Sequence, residues 1–123
     1  MRIVPVVGLL CMVSTGVFAN ALGKTTYQIA CQNCHAPSLA KAIHAPAAFN
    51  KAAWNMRFKQ AELEATKNPG RFKSPMDYLL SHVKMGKGLM YHGGLCHESD
   101  APDKNCSDEA LMAAISYMSQ RDA

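Results

Sequence analysis

Apolar residues recur at helical spacing in the segment just after the N-terminal apolar run. One face of a helix over residues 24–34 would carry Tyr27, Ala30, Cys31 and Cys34. These positions are i, i+3, i+4 and i+7, the spacing at which side chains share one face of a helix. The pattern therefore predicts a helix here, with two cysteines on its apolar side.

A second helix is marked at both of its ends. Ser74 is a good N-cap residue, Pro75 fits the first helical position, and Asp77 puts a negative charge in the first turn. Gly86 is a natural stop at the other end. The apolar stripe between these signals consists of Met76, Leu79, Leu80 and Val83.

The C-terminal segment has the same organisation. Ser107 is placed to cap a helix whose first turn carries Asp108 and Glu109. Its predicted buried face consists of Leu111, Ala114, Ile115 and Met118, with Tyr117 at the flank. An amphipathic stretch is also predicted over residues 51–67, and the sequence NPG at 68–70 stops it.

No segment of the sequence alternates apolar and polar residues as a half-buried strand does. Residues 36–50 are irregular and rich in Ala and Pro, and residues 86–94 form a loop with four glycines. We therefore predict an all-α protein with three main helices and long loops. Loops of this length in a small chain indicate that a non-protein group fills part of the core.

The N-terminus has the features of a secretory signal peptide. Arg2 is the only charged residue before Lys24, and an apolar run ends at the small residue Ala19. We expect residues 1–19 to be a cleaved signal peptide and residues 20–123 to form one exported domain. An uncleaved membrane anchor is the alternative, although this run is only just long enough to span a bilayer.

Composition and net charge exclude some classes of protein. The chain has 123 residues, 49% of them hydrophobic, which fits one globular domain and excludes a disordered tail. The net charge of +4 falls by one if Arg2 is removed. This is far below the dense basic stripes of a nucleic-acid binder, so no nucleic-acid partner is expected. It suits transient docking to an acidic protein surface.

The motif Cys31-Gln32-Asn33-Cys34-His35 carries the main candidate chemistry. On a helix both thiols point to one side, where they can form thioethers to the two vinyl groups of a haem, and the histidine can ligate its iron. A thioredoxin-type pair would need a βαβ setting. A zinc site would need distant partners at poor spacing, namely Cys96, His97 and Cys106. A plain disulfide is the remaining alternative, and the motif with export and an all-α pattern favours haem.

A covalent haem c with iron would explain the long loops, because an apolar disc can fill the core that they leave open. His35 is then the first axial ligand of the iron, and its second ring nitrogen needs a carbonyl acceptor to fix its orientation. The loop that contains Pro46 is a candidate for this acceptor. His44, just before it, is expected to be an exposed loop residue.

Several side chains could provide the sixth ligand: Met85, Met90, His82, His92 and His97. Met90 is preferred, because it lies between flexible glycines that allow the loop to wrap over the far face of the haem. Met85 and His92 remain the alternative candidates for this ligand. Ligation by His and Met raises the reduction potential relative to ligation by two histidines. An iron with all six coordination positions filled is suited to electron transfer rather than to catalysis.

These residues resemble a class I cytochrome c, and more narrowly the small cytochrome c5 type of bacterial periplasms. Gly23 and Tyr27 match the first-helix pattern, and the C-terminal CSDEALMAAISYM is similar to the ending of that branch. The resemblance implies that Met90 is the axial methionine, that Trp54 and Arg57 approach a haem propionate, and that Cys96 and Cys106 form a disulfide. Residues 58–74 look like an insertion, and the usual Pro after the axial Met is absent.

The sequence thus predicts a monomeric electron carrier without catalytic residues or a small-molecule substrate. Its partners would be redox proteins, an oxidase or a reductase, either soluble or membrane-bound, with Lys84 and Lys87 available for docking. One alternative is a gas sensor or peroxidase-like protein with a displaceable sixth ligand. Another is a haem subunit fixed to a larger redox complex, for which residues 58–74 are the segment to test.

Overall fold

The structure, a computed structural model, describes residue 8 and residues 16–121, with the backbone alone for residues 16–19. Most of the predicted signal peptide, residues 1–7 and 9–15, lies outside the described residues, as do residues 122 and 123. In the described part of the chain the helices are α1 (Gly16–Ala30), α2 (Gln32–His35), α3 (Pro37–Ala40), α4 (Lys51–Lys67), α5 (Pro75–Met85) and α6 (Asp108–Ser119).

The all-α prediction is confirmed, and no strand occurs between residues 16 and 121. The prediction of three main helices is one too few, because α4, which the sequence predicts only as an amphipathic stretch, is a helix of 17 residues. Its inner face buries Trp54, Phe58 and Ala61 at helical spacing. Its outer face carries the exposed Met56 and Leu63, which blur the amphipathic pattern on which the sequence prediction depends.

The predicted helix over residues 24–34 is divided at Cys31, which has φ −125° and ψ −30°. Helical hydrogen bonds still flank the break, from the Cys31 amide to the Tyr27 carbonyl and from the His35 amide to the Cys31 carbonyl, each 2.9 Å long. At its other end, α1 begins before the predicted cleavage site and runs through Ala19. No helix among the described residues is long and apolar enough to cross a membrane.

The caps predicted from sequence are confirmed. The side chains of Ser74 and Ser107 accept hydrogen bonds from the amides of Asp77 and Ala110, three residues further on. Each serine satisfies an amide that has no partner within the helix. These local bonds explain why the first residues of α5 and α6 could be predicted from the sequence.

The N-terminal helix α1 packs against the C-terminal helix α6, and α4 and α5 complete the core. The buried cluster includes Tyr27 of α1, Trp54 and Phe58 of α4, Leu80 of α5 and Ile115 of α6. Gly23 allows the close approach of α1 to α6. A Cβ atom at this position would lie 2.9 Å from Cβ of Tyr117 and closer still to the Ala113 carbonyl oxygen.

Replacing Gly23 with alanine is expected to push α1 away from α6. Both clashing atoms belong to a packed helix, so the free energy of unfolding should fall by about 1–3 kcal/mol. Thermal denaturation of the holoprotein measures this change. Gly70→Ala is the matched control, because nothing lies near its Cβ position, and its effect should stay within about 0.5 kcal/mol. Equal melting temperatures for the two variants would contradict the packing argument.

Candidate functional site

A cavity of about 330 Å³ lies between the end of α1, α2, α4, α5, α6 and the loop over residues 86–95. Its walls are mainly apolar, with Leu79, Val83, Leu111 and Ile115 among the lining side chains. Into this space the structure brings Cys31, Cys34, His35 and Met90, from two distant parts of the chain. Its volume is in the lower range of sites that hold small ligands and cofactors.

His35, at the end of α2, is buried and held in one orientation. Its Nδ1 lies 2.8 Å from the Pro46 carbonyl oxygen, and its ring stacks on Trp54 with centroids 5.9 Å apart. Because a carbonyl only accepts hydrogen bonds, Nδ1 carries the proton and Nε2 keeps the lone pair. The imidazole is thus prepared to bind a metal through Nε2.

Burial also lowers the pKa of His35, because it disfavours the charged imidazolium. The bond to Pro46 acts in the opposite direction, and the positive charge of Arg57 lowers the pKa further. The net direction favours the neutral imidazole. This is the form that binds a metal, since a protonated ring has no free lone pair.

Cys31 and Cys34 are free thiols that line the cavity. Burial, and then the neighbouring Cys34, raise the pKa of Cys31 to about 12. A redox-active dithiol needs a thiolate near neutral pH, so a pKa this high argues against thioredoxin-type chemistry. The plain disulfide alternative is not found either, because the two sulfur atoms are not bonded.

The residues considered for a zinc site are not placed to bind a metal ion together. Cys96 is bonded to Cys106, with Cα atoms 5.8 Å apart, and His97 is exposed. Across residues 16–121, no group of three or more His, Cys, Asp or Glu side chains could hold a metal ion. The cysteines of the motif are therefore separate from the second pair.

Met90 is held by a tight turn in the loop over residues 86–95, which we call the ligand loop. The amides of Lys87 and Met90 donate to each other's carbonyls at 3.1 and 3.0 Å. Further along, the Gly93 amide donates to the Val83 carbonyl at 2.7 Å and the Leu95 amide to the Ala30 carbonyl at 2.8 Å. The ligand loop is thus attached to α5 on one side and to the end of α1 on the other.

Gly94 makes the second attachment possible. It has φ +60°, and a Cβ atom there would overlap the carbonyl oxygen of Ala30. Only glycine fits both the left-handed backbone and this close contact. The residue thus holds the ligand loop beside Cys31.

The other candidate ligands are differently placed. Met85 is 60% exposed, with its sulfur 3.5 Å from Oγ of Ser81 and 3.9 Å from a guanidinium nitrogen of Arg71. The described residues that line the cavity do not include Met85, His92 or His97, whereas Met90 and His82 are among them. Ligation of iron by Met90 remains a prediction.

Trp54 and Arg57 both line the cavity, and each already makes a hydrogen bond. The indole nitrogen of Trp54 donates to the Ala47 carbonyl at 2.9 Å, and Arg57 donates to the His44 carbonyl at 3.0 Å. Arg57 keeps further N–H donors, because a guanidinium has five, but the indole of Trp54 has only one. A contact of either side chain with a propionate stays a prediction.

His82 is the cavity residue that the sequence reasoning undervalued. The sequence indicates it only as a candidate iron ligand, but Leu79, His82 and Val83, at i, i+3 and i+4 of one helix, all line the cavity. This spacing on α5 was visible in the sequence and could have placed His82 beside the haem. The sequence did not show, however, which wall of the cavity α5 would form.

The residues present fit a covalent haem c. The cavity offers apolar walls for a flat ring, two free thiols near each other in the chain, a neutral and oriented imidazole, and a thioether from another segment. His35, Cys31 and Cys34 would hold the group from one side, and Met90 would reach it from the ligand loop.

Comparison with known families agrees with this geometry. The family model described as cytochrome c oxidase, cbb3-type, subunit III matches residues 19–118. Neither the curated proteins nor the solved structures gave a significant match. The family supports a class I c-type cytochrome, while the narrower likeness to cytochrome c5 remains a prediction. The chain therefore belongs to the cbb3-type subunit III family of c-type cytochromes, and it carries covalently bound haem c with iron.

Proposed function

We propose that the protein is an exported, monomeric one-electron carrier. In it Cys31 and Cys34 hold the haem c, while His35 and Met90 ligate the iron. The observation that carries this proposal is one apolar cavity that is lined by Cys31, Cys34 and His35 of the CxxCH motif and by Met90 of the ligand loop. Export to the periplasm is supported by the positively charged start and the apolar run before Ala19.

When bound, haem c supplies reversible one-electron chemistry between ferric and ferrous iron. The protein supplies the ligands and their rigidity. The Pro46 carbonyl keeps His35 oriented, and the hydrogen bonds of Gly93 and Leu95 hold the ligand loop. The soft thioether of Met90 favours the ferrous state and thus a higher potential.

Partner docking is proposed at the ligand loop, beside the cavity. Leu89 and Tyr91 flank Met90 and are 75% and 68% exposed, and Lys87 adds a positive charge at the cavity. Lys84 contributes less than the sequence indicated, because its ammonium group lies 3.0 Å from a carboxylate oxygen of Asp108. An acidic protein surface, on an oxidase or a reductase, would complement this patch.

A second candidate is a haem subunit fixed to a larger redox complex. The description of the matched family names an oxidase subunit. The outer face of α4 also carries the exposed apolar side chains Met56 and Leu63 at i and i+7. Both candidates use the same haem chemistry and differ in whether the protein diffuses.

Carbon monoxide tests whether the iron has a free or displaceable position. The reduced wild-type holoprotein is expected to show a low-spin c-type spectrum that carbon monoxide leaves unchanged, because a Met ligand on a tethered loop blocks the site. Absorption spectra before and after addition of the gas measure this. Rapid binding of carbon monoxide would overturn the carrier proposal and favour a gas sensor or peroxidase-like protein.

A further inference from the structure

The charges around the cavity have one sign. Arg57 and Lys87 line it, and the described lining residues include no aspartate or glutamate. His82 lies in the same lining, partly buried, with its ring centroid 4.2 Å from that of Tyr78 on the same helix. It is therefore a titratable side chain at the edge of the redox site that the proposed function leaves without a role.

Charged groups approach His82 from two neighbouring segments. Arg57 and Glu64 belong to α4, and Lys87 belongs to the ligand loop. The Glu64 carboxylate is shared with Lys67, 3.3 Å away. The helix α6 also packs against α5; its acidic residues are Asp108, which is paired with Lys84, and Glu109, and neither is among the charges that shift the pKa of His82. The surroundings of His82 are thus predominantly positive.

The burial of His82 and the charges around it determine its protonation state. Burial lowers the pKa of His82, the charges of Lys87 and Arg57 lower it further, and Glu64 acts in the opposite direction. The imidazole is therefore neutral near pH 7 and has a free acceptor for a proton. A negative charge added to the cavity would favour the protonated form, because opposite charges nearby stabilise each other.

We propose that His82 takes up a proton when the haem of this protein is reduced, so that the midpoint potential falls as the pH rises. The proposal rests on the proposed function, since it requires a haem in the cavity. The electron comes from the donor protein and the proton from solvent at the cavity mouth. The imidazole becomes imidazolium as ferric iron becomes ferrous, and reoxidation releases the same proton.

The sign follows from linkage. If reduction favours protonation, then protonation favours reduction by the same factor. The potential is highest where His82 is protonated in both redox states, at low pH. It falls between the pKa of the oxidised protein and that of the reduced protein, and is constant above both. Each tenfold difference in proton affinity between the two states corresponds to about 59 mV for a one-electron couple.

Potentiometric titration of the holoprotein from about pH 5 to about pH 9, the range in which histidine titrates, tests this. Wild type should show a falling segment, with a slope of at most about 59 mV per pH unit, and His82→Gln should remove it. His97→Gln, an exposed histidine outside the cavity lining, should retain it. His44→Gln should also retain it, because this side chain lines the cavity but is exposed.

Three results of the potentiometric titration would overturn the inference. These are a flat profile in wild type, an unchanged slope in His82→Gln, which would assign the proton to a haem propionate, and loss of the slope in His44→Gln. Proton uptake by weakly buffered wild-type protein on reduction gives an independent measurement that needs no variant. Absence of this uptake would also overturn the inference.

The Met-to-iron charge-transfer band, measured in the same wild-type samples, distinguishes failure of the proposed Met90 ligation from failure of the proposed role of His82. Its absence overturns the proposed ligation, whereas a band with a flat profile overturns only the role of His82.

Discussion

Replacing Met90 with alanine is expected to abolish the Met-to-iron charge-transfer band of the oxidised protein. Met90 lines the cavity from the ligand loop. If its thioether is the sixth ligand, as proposed, its removal would leave that position of the iron open. The potential should fall on the order of 100 mV, a fraction of the range of about 0.8 V that axial ligands span. The reduced variant should also bind carbon monoxide, which optical spectroscopy and potentiometry will show.

Met85→Ala is the matched control, because it removes the same side chain five residues earlier. The thioether of Met85 is 60% exposed and contacts Ser81 and Arg71 rather than the cavity. The band, the potential and the resistance to carbon monoxide should therefore stay as in wild type. Loss of the band in this variant, or its survival in Met90→Ala, would move the ligand to another residue.

Replacing both Cys31 and Cys34 with alanine should prevent covalent attachment of haem. The two thiols are free and line the cavity, so their loss removes both predicted thioethers. Haem that still enters should be extracted by acidic acetone, whereas wild type should keep its haem through denaturing electrophoresis. The melting temperature should also fall, because a ligand bound only to the folded state stabilises it and a weaker ligand stabilises it less.

The Cys96→Ala/Cys106→Ala variant is the control for the loss of two cysteines. This pair, ten residues apart in sequence, closes a short loop after the ligand loop. Its removal should lower the free energy of unfolding by about 3 kcal/mol, the loop-entropy value for this length, while the haem stays covalently attached. Acid-resistant haem in the Cys31→Ala/Cys34→Ala variant would contradict the assignment of the attachment site.

The predictions that succeeded rest on local interactions. Ser74 and Ser107 cap α5 and α6 through bonds that span three residues, so the start of each helix is set within one turn. The CxxCH motif is equally local, since a helical turn places its thiols and its histidine together. In α4 the pattern was weaker, because apolar residues lie on both faces.

The sequence by itself determined the all-α class, the caps and the attachment motif, because each depends on residues within about one helical turn. Only the tertiary structure decided which distant groups meet at the cavity. It brought Met90 into the lining and left Met85 outside, through hydrogen bonds from Gly93 to Val83 and from Leu95 to Ala30. It also placed His82 in the same cavity lining as Arg57 and Lys87, whose positive charges lower its pKa. These relations depend on how helices and loops pack across the core, and the spacing of residues along the chain does not encode them directly.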